Sequence, residues 1–264
     1  MKLIVTKKIT KTELSLCAHR FVFALLALMI LGACATKTVV SGPDGQINII
    51  RPDTAFSINN LPDDWVTQGR VESSSVLLSS KENVPALRVN NTDNRFVLAR
   101  RIKASLLATP YMNWAWYMEP PATGNHPVQL IVGFSGGEPQ SYKTENDSLF
   151  SLDKNLGLNR MFGLGLPEYR RLITVSWAES ALQRGEFFYP TSRDKQRKSL
   201  RYTMRGGREN SKQWLIETVD LSLLYREAWP EDEMQKVEIA FIGIAGYGGK
   251  VEATAYFSGL RLSR

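Results

Sequence analysis

The chain has 264 residues, with 33 Lys+Arg against 26 Asp+Glu for a formal charge of +7, and a pI near 9.4. Two cysteines are too few for a disulfide scaffold. The length suits one large domain behind a leader rather than a string of modules.

Residues 1–33 join a basic segment (Lys2, Lys7, Lys8, Lys11, Arg20) to an uncharged stretch from Phe21 to Leu31 that ends in small residues. That is the layout of a cleaved export signal, and the stretch is too short for a spanning helix, which needs about 20 apolar residues. Leu31-Gly32-Ala33-Cys34 resembles the lipobox of bacterial lipoproteins, in which the thiol accepts a lipid and the new amine is acylated after cleavage. Cys34 is therefore the expected lipidation site, and two acyl chains already hold a protein stably on a bilayer. Ala35 rather than Asp after the cysteine implies, by the same resemblance, an outer-membrane lipoprotein facing the periplasm of a diderm cell.

Cleavage takes five bases and one acid, leaving 28 against 25, or +3. The basic excess belongs mostly to the leader, so no nucleic-acid partner is inferred from it. Cys17 leaves too, and His126 is then the one histidine of the mature chain. Cysteine nucleophiles and His/Cys metal sites are thereby excluded.

Residues 34–60 are polar with scattered Ile and Val and a Gly42-Pro43-Asp44-Gly45 turn, read as a lipidated tether. Residues 61–264 are read as one domain. Short β-rich segments follow, separated by Gly, Pro, Asn and Ser: 86–89, 95–102, 111–118, 128–134, 172–177, 200–204, 214–219, 237–244 and 251–257. In the clearest, Met112, Trp114, Trp116 and Met118 alternate with Tyr111, Asn113, Ala115 and Tyr117. Nearly continuous apolar residues over 237–244 mark a strand covered on both faces. One helix is expected: Asp220 caps it, Leu221, Leu224, Tyr225 and Ala228 share a face, and Trp229-Pro230 stops it. The stretch 136–170 reads as a long loop excursion. The pattern predicts an all-β antiparallel sandwich or jelly roll with one short helix in the C-terminal third.

The pieces Thr109-Pro110-Tyr111-Met112-Asn113-Trp114-Ala115-Trp116, Ile173-Thr174-Val175-Ser176-Trp177-Ala178, Arg184-Gly185-Glu186, Trp214-Leu215-Ile216-Glu217, Leu224-Tyr225-Arg226-Glu227-Ala228-Trp229 and Ala253-Thr254-Ala255-Tyr256-Phe257 follow one another in an order that resembles the domain-of-unknown-function family 3047. The resemblance covers 61–262 and implies an exported bacterial protein with a sandwich akin to galactose-binding-type jelly rolls. It implies no activity. Many members carry an acidic pair and an Asp-x-Asp-Asn-Thr-like stretch where this chain has Gly124-Asn125-His126 and Ala245-Gly246-Tyr247-Gly248-Gly249, so any role of those acids is lost here.

Gly133-Phe134-Ser135-Gly136-Gly137 fits the G-x-S-x-G elbow of α/β-hydrolases, but no histidine follows Ser135; a strand entering a turn is the expectation. Gly246-Tyr247-Gly248-Gly249-Lys250 departs from a P-loop and is read as a hairpin turn. Asp153-Lys154-Asn155-Leu156-Gly157 holds part of a calcium loop without its closing Glu; no cofactor is expected, and a structural calcium is the lesser alternative. Glycosidase chemistry needs two carboxylates, and Glu119, Glu145, Asp147, Asp153, Glu179 and Glu186 are available without any pairing in the sequence.

Two candidate binding surfaces remain. Arg193, Lys195, Arg197, Lys198, Arg201, Arg205 and Arg208 crowd one span, and strand alternation puts Arg201, Thr203 and Arg205 on a face opposite Leu200, Tyr202 and Met204, suited to phosphate or uronate. Tyr111, Asn113 and Tyr117 would form an aromatic platform for sugar rings, the competing reading being core on both faces. The expected function is a non-catalytic, membrane-anchored protein that binds an envelope polysaccharide or other envelope component; the alternatives are a polysaccharide-cleaving enzyme with paired carboxylates and a scaffold for an envelope protein.

Overall fold

The structure is a computed structural model that describes residues 45–50, 57–139, 165–189 and 199–264, all within one compact unit, Thr36–Arg264. The expected signal segment, Cys34, the segment at 153–157 read against a calcium loop and the basic residues 193–198 lie outside the described residues. In chain order the strands are β1 (Ile47–Asn48), β2 (Trp65–Gly69), β3 (Val76–Lys81), β4 (Val84–Asn90), β5 (Phe96–Ser105), β6 (Tyr111–Glu119) and β7 (Val128–Ser135). They continue as β8 (Arg171–Ala178), β9 (Phe187–Phe188), β10 (Ser199–Gly206), β11 (Trp214–Asp220), helix α1 (Leu221–Ala228), β12 (Glu238–Gly246) and β13 (Thr254–Ser263).

Two sheets make a β-sandwich. One has the order β11-β6-β13-β4-β3, with β1 pairing β13 farther along; the other runs β2-β5-β12-β7-β8-β10-β9. The expected alternation in β6 holds: Met112, Trp114, Trp116 and Met118 are buried between the sheets with Leu130, Val132, Ile173, Val175, Trp177, Ile242 and Ile244. Trp116 packs edge-on against Trp114 and Trp177, with ring centroids 5.4 and 5.5 Å away, each such pair worth about 0.5–1.5 kcal/mol beyond the area it buries. β12 lies inside its sheet, between β5 and β7, and is covered on both faces, Ile239, Ile242 and Ile244 by the inter-sheet core, Ala240, Phe241 and Ala245 by a second cluster with Leu166 and Tyr169.

The helix forms as expected. The Asp220 carboxylate accepts from the backbone N–H groups of Ser222 and Leu223 at 2.9 and 3.1 Å, satisfying two donors that a helix start leaves open. Leu221, Leu224, Tyr225 and Ala228 are buried, joining the inter-sheet core.

Four expectations change. Residues 45–50, read as tether, enter the sandwich: β1 pairs β13, and Ile47 and Ile49 are buried in the core. The sheet is not wholly antiparallel, since β8 and β10 run parallel, β9 lying in the connection between them. Residues 247–253 are not a hairpin turn but a link from one sheet to the other, held by the Asn91 amide, which donates to Val251 O at 2.8 Å. Finally, β10 bulges between Thr203 and Arg205, which reverses the facing of Arg205. The G-x-S-x-G segment is a strand end and turn, as expected. The Phe241 ring lies on Gly133, so close that a Cβ would sit 2.1 Å from it, and Gly136, at φ 77°, turns with a carbonyl 2.3 Å from where a Cβ would be.

Candidate functional site

The face of the six-stranded sheet turned away from the core gathers one set of sequence candidates. Tyr111, Asn113, Ala115, Tyr117 and Glu119 point outward from β6, because the residues between them fill the core. In register across the sheet lie Trp214, Tyr117, Tyr256, Arg88 and Leu77 in one row. Thr218, Asn113, Arg261 and Asn48 form another.

Part of this face is covered. β3 and β4 form a hairpin whose two turn residues, Glu82 and Asn83, both have positive φ (50° and 63°), the backbone of a type I′ turn. Its tip reaches over the aromatic row: Trp214 Nε1, from the far edge strand, donates to Lys81 O at 3.1 Å. Lys81 Nζ lies 4.6 and 5.3 Å from the ring centroids of Tyr117 and Tyr256 and pairs with Glu119 at 2.6 Å. The Glu119 hydrogen bond raises the Lys81 pKa, and burial raises that of Tyr117. Tyr117 is only 5% exposed, packed edge-on against Trp214 and Tyr256. Its ring faces are occupied by this cluster, so it stands apart from Tyr111 and Asn113 rather than forming one platform with them.

The other part is open. Tyr111 is 39% exposed and Ile216 82%. Between them Thr218 Oγ1 donates to Asn113 Oδ1 at 2.8 Å, and Asn113 Nδ2 donates to Ser263 Oγ at 3.0 Å. The result is a polar ladder across three strands, flanked by a phenol ring and an aliphatic side chain.

The two arginines of the other candidate surface are separated. Arg201 stays on the outer face of the seven-stranded sheet, its guanidinium 4.3 Å from the Phe188 ring centroid. The bulge at Met204 turns Arg205 inward, where its Nε donates to Glu217 Oε1 and its Nη2 lies 3.4 Å from Oε2. Glu217, 2% exposed, also accepts from Trp116 Nε1 at 3.3 Å. Strand alternation predicts one basic face; a single extra residue in the ladder divides it.

Other carboxylates are also engaged. Asp232 holds Arg171 through two contacts of 2.9 and 2.7 Å, and Asp64 holds Arg100 at 2.6 Å. Among the described residues no three His, Cys, Asp or Glu side chains gather as metal ligands would. The pairings of Arg205 with Glu217 and of Arg171 with Asp232 join distant positions and leave no local signature in the sequence.

No family model matches the chain, and no curated protein does. Solved structures similar to it include a family 30 carbohydrate-binding module of a Clostridium thermocellum cellulosomal cellulase, at 10% identity, covering 83% of this chain and 96% of that one, TM-score 0.36. A family 11 carbohydrate-binding module from the same organism matches at 5% identity over 85% and 96%, TM-score 0.37. Endoglucanase 3 of Trichoderma harzianum, from glycoside hydrolase family 12, matches at 9% identity over 88% and 96%, TM-score 0.37. At these identities and scores the likeness carries no argument about ligand or activity.

Proposed function

We propose that the chain is a lipid-anchored protein of the cell envelope whose β-sandwich binds an envelope glycan without cleaving it. The observation that carries the binding half is the open shelf of Thr218, Asn113 and Ser263 between Tyr111 and Ile216. A row of hydroxyls and an amide matches the hydroxyls of a sugar chain, and a few fixed polar groups set orientation in such sites. Tyr111 offers the apolar ring face that sugar C–H groups stack on, with a hydroxyl at its rim. Glycosidase chemistry needs two carboxylates, and Glu119, the sequence candidate that shares this face, is held by Lys81, which favours binding over cleavage here.

The anchor rests on Leu31-Gly32-Ala33-Cys34. Expressed in a diderm host, the wild-type chain is expected in the membrane pellet, with its N-terminal peptide heavier by the acyl groups. Cys34→Ala is expected to move the chain to the soluble fraction and abolish the mass increment. An unmodified Cys34 on a membrane-bound chain would defeat the lipoprotein reading.

The glycan half is tested with the full chain in detergent micelles, titrated against peptidoglycan, lipopolysaccharide and exopolysaccharide of the host. Binding to one of them is expected, weakened about tenfold by Asn113→Ala or Tyr111→Ala, the scale of one lost contact. Retention of none of the three would sink the reading and point to a protein partner. Release of new reducing ends would put catalysis in place of binding.

A further inference from the structure

The strands of the six-stranded sheet direct five charged side chains to its outer face, and three of them are committed. Lys81 and Glu119 neutralise each other at 2.6 Å, and Asp220 at the end of β11 caps α1. The remaining two, Arg88 and Arg261, are both cations. Neither makes a side-chain hydrogen bond or an ion pair among the described residues.

Their surroundings explain why. Arg88 lies in register with Tyr256 on one side and Leu77 on the other, and Arg261 with Asn113 and Asn48. None of these four neighbours carries charge. Arg88 Nε is buried without a hydrogen-bond partner, a state that costs free energy in a folded protein and calls for a cause. Lys81 and Glu119 show that this face pairs charges where they meet; at Arg88 and Arg261 it supplies no counter-charge among the described residues.

We propose that Arg88 and Arg261 are anion-reading positions, and that the ligand of this face is an acidic polysaccharide carrying carboxylate or phosphate groups. The inference rests on the glycan reading above and narrows it to a charge class. A guanidinium presents a planar fork of donors that matches a carboxylate or phosphate oxygen pair. Arg261 follows Tyr256, the register partner of Arg88, by five residues along β13, which places the two cations roughly 15 Å apart at the usual strand rise. An extended polymer with repeated anionic groups spans that interval, and a single sugar does not. Arg261 is the register partner of Asn113, so this cation borders the neutral shelf, while Arg88 lies away from it, in the row of Tyr117 and Tyr256.

The test compares polygalacturonate with its fully methyl-esterified form, which keeps the backbone and removes the charge, using the full chain in detergent micelles. A lipopolysaccharide arm, with and without enzymatic removal of its phosphates, separates phosphate from carboxylate as the source. Expected is preference for at least one charged form over its neutral counterpart by about tenfold or more, weakening as salt is raised because exposed charges are screened beyond ~10 Å at 0.1 M. Arg88→Gln and Arg261→Gln are each expected to weaken that form about tenfold, and the double variant about a hundredfold, since sites this far apart act additively. Arg201→Gln, on the other sheet, is expected to leave affinity unchanged, and Arg88→Lys to recover only part of it. Unchanged thermal melting shows that the Gln variants are folded. Equal binding of charged and neutral forms, indifferent to both arginines, overturns the inference and leaves the glycan reading standing. Charge-dependent binding lost in Arg201→Gln instead overturns it by moving the site to the other sheet. Binding of neither form of either polymer overturns both.

Discussion

Asp232→Asn is expected to destabilise the domain by about 3–5 kcal/mol, the range for breaking one half of a buried ion pair, lowering the melting temperature by roughly 10 °C for a domain of this size. Arg171 opens β8 with its side chain 1% exposed, and the Asp232 side chain is fully buried. The contact is a two-point fork: Nε to Oδ2 at 2.9 Å and Nη2 to Oδ1 at 2.7 Å. The Tyr225 hydroxyl donates to the same Oδ2 at 2.7 Å, the Trp229 ring lies 5.3 Å from the guanidinium, and Glu231 stands off at 3.5 Å. Burial first, then the Asp232 hydrogen bond and charge, push the Tyr225 pKa upward, keeping it a donor. This cluster fastens α1 and the turn after it to the seven-stranded sheet. An amide at 232 has nearly the same shape and can still accept from Tyr225, so the loss is the counter-charge to a buried cation. Adding Arg171→Met to Asp232→Asn is expected to recover most of the stability, because the stranded charge is gone. Chemical denaturation of the two singles and the double checks this. A loss under 1 kcal/mol for Asp232→Asn would mean that other groups around Arg171, Glu231 among them, balance its charge.

The elements legible in the sequence are those whose own residues decide them. β6 has large apolar side chains at every second position, so its buried face is fixed by period alone. α1 has its cap, its apolar face and its proline stop within eleven residues, Asp220–Pro230. β12 is apolar almost throughout, and only a covered central strand tolerates that. The elements that escaped are decided elsewhere. β1 is two residues long and is a strand only because β13 offers it a partner. β3 reads Val-Leu-Leu-Ser-Ser-Lys with Leu77 and Leu78 both exposed, and its turn is Glu-Asn rather than the Asn-Gly that announces a hairpin.

The candidate site divides in the same way. That Tyr111, Asn113 and Tyr117 share a face follows from alternation, and they do share it. That the β3–β4 tip covers Tyr117 while leaving Tyr111 open depends on the meeting of Trp214 with Lys81, residues 133 positions apart. The facing of Arg205 turns on one bulge, which shifts register without altering composition. Arg88 and Arg261 drew no notice in the sequence because an arginine in a strand is ordinary. What sets them apart is the charge of their register partners, which only the ladder reveals.

His126 is expected to make the domain acid-sensitive in a defined window, a loss of about 3 kcal/mol between pH 6.5 and 4. The ring is fully buried. Its Nδ1 accepts from the Val128 backbone N–H at 3.1 Å, and Nε2 lies 3.3 Å from Thr254 O, to which it donates. That assignment uses both nitrogens of the neutral imidazole, one as acceptor and one as donor. A proton on Nδ1 would remove the acceptor of the Val128 N–H and place a charge in a fully buried site; burial lowers the pKa from 6.5 to about 4, outweighing the backbone carbonyls of Thr254 and Val128, which favour the charged form. Above pH 6.5 neither the folded nor the unfolded chain binds the proton, and stability is fully present. Between 6.5 and 4 the unfolded chain takes up a proton that the folded chain refuses, so stability falls by up to 1.36 kcal/mol per pH unit. Below 4 both states are protonated and this contribution stays lost. Asn at 126 leaves an acceptor for Val128 N–H and cannot titrate, at a constant cost from the missing donor to Thr254 O. Urea midpoints of wild type and His126→Asn, converted to free energies at pH 7, 6, 5 and 4.5, should therefore converge as pH falls. A gap between the two chains that stays constant from pH 7 to 4.5 would mean that the buried ring does not resist protonation. His126 joins the start of β7 to the start of β13, one strand from each sheet, so protonation would strike the seam between the layers first.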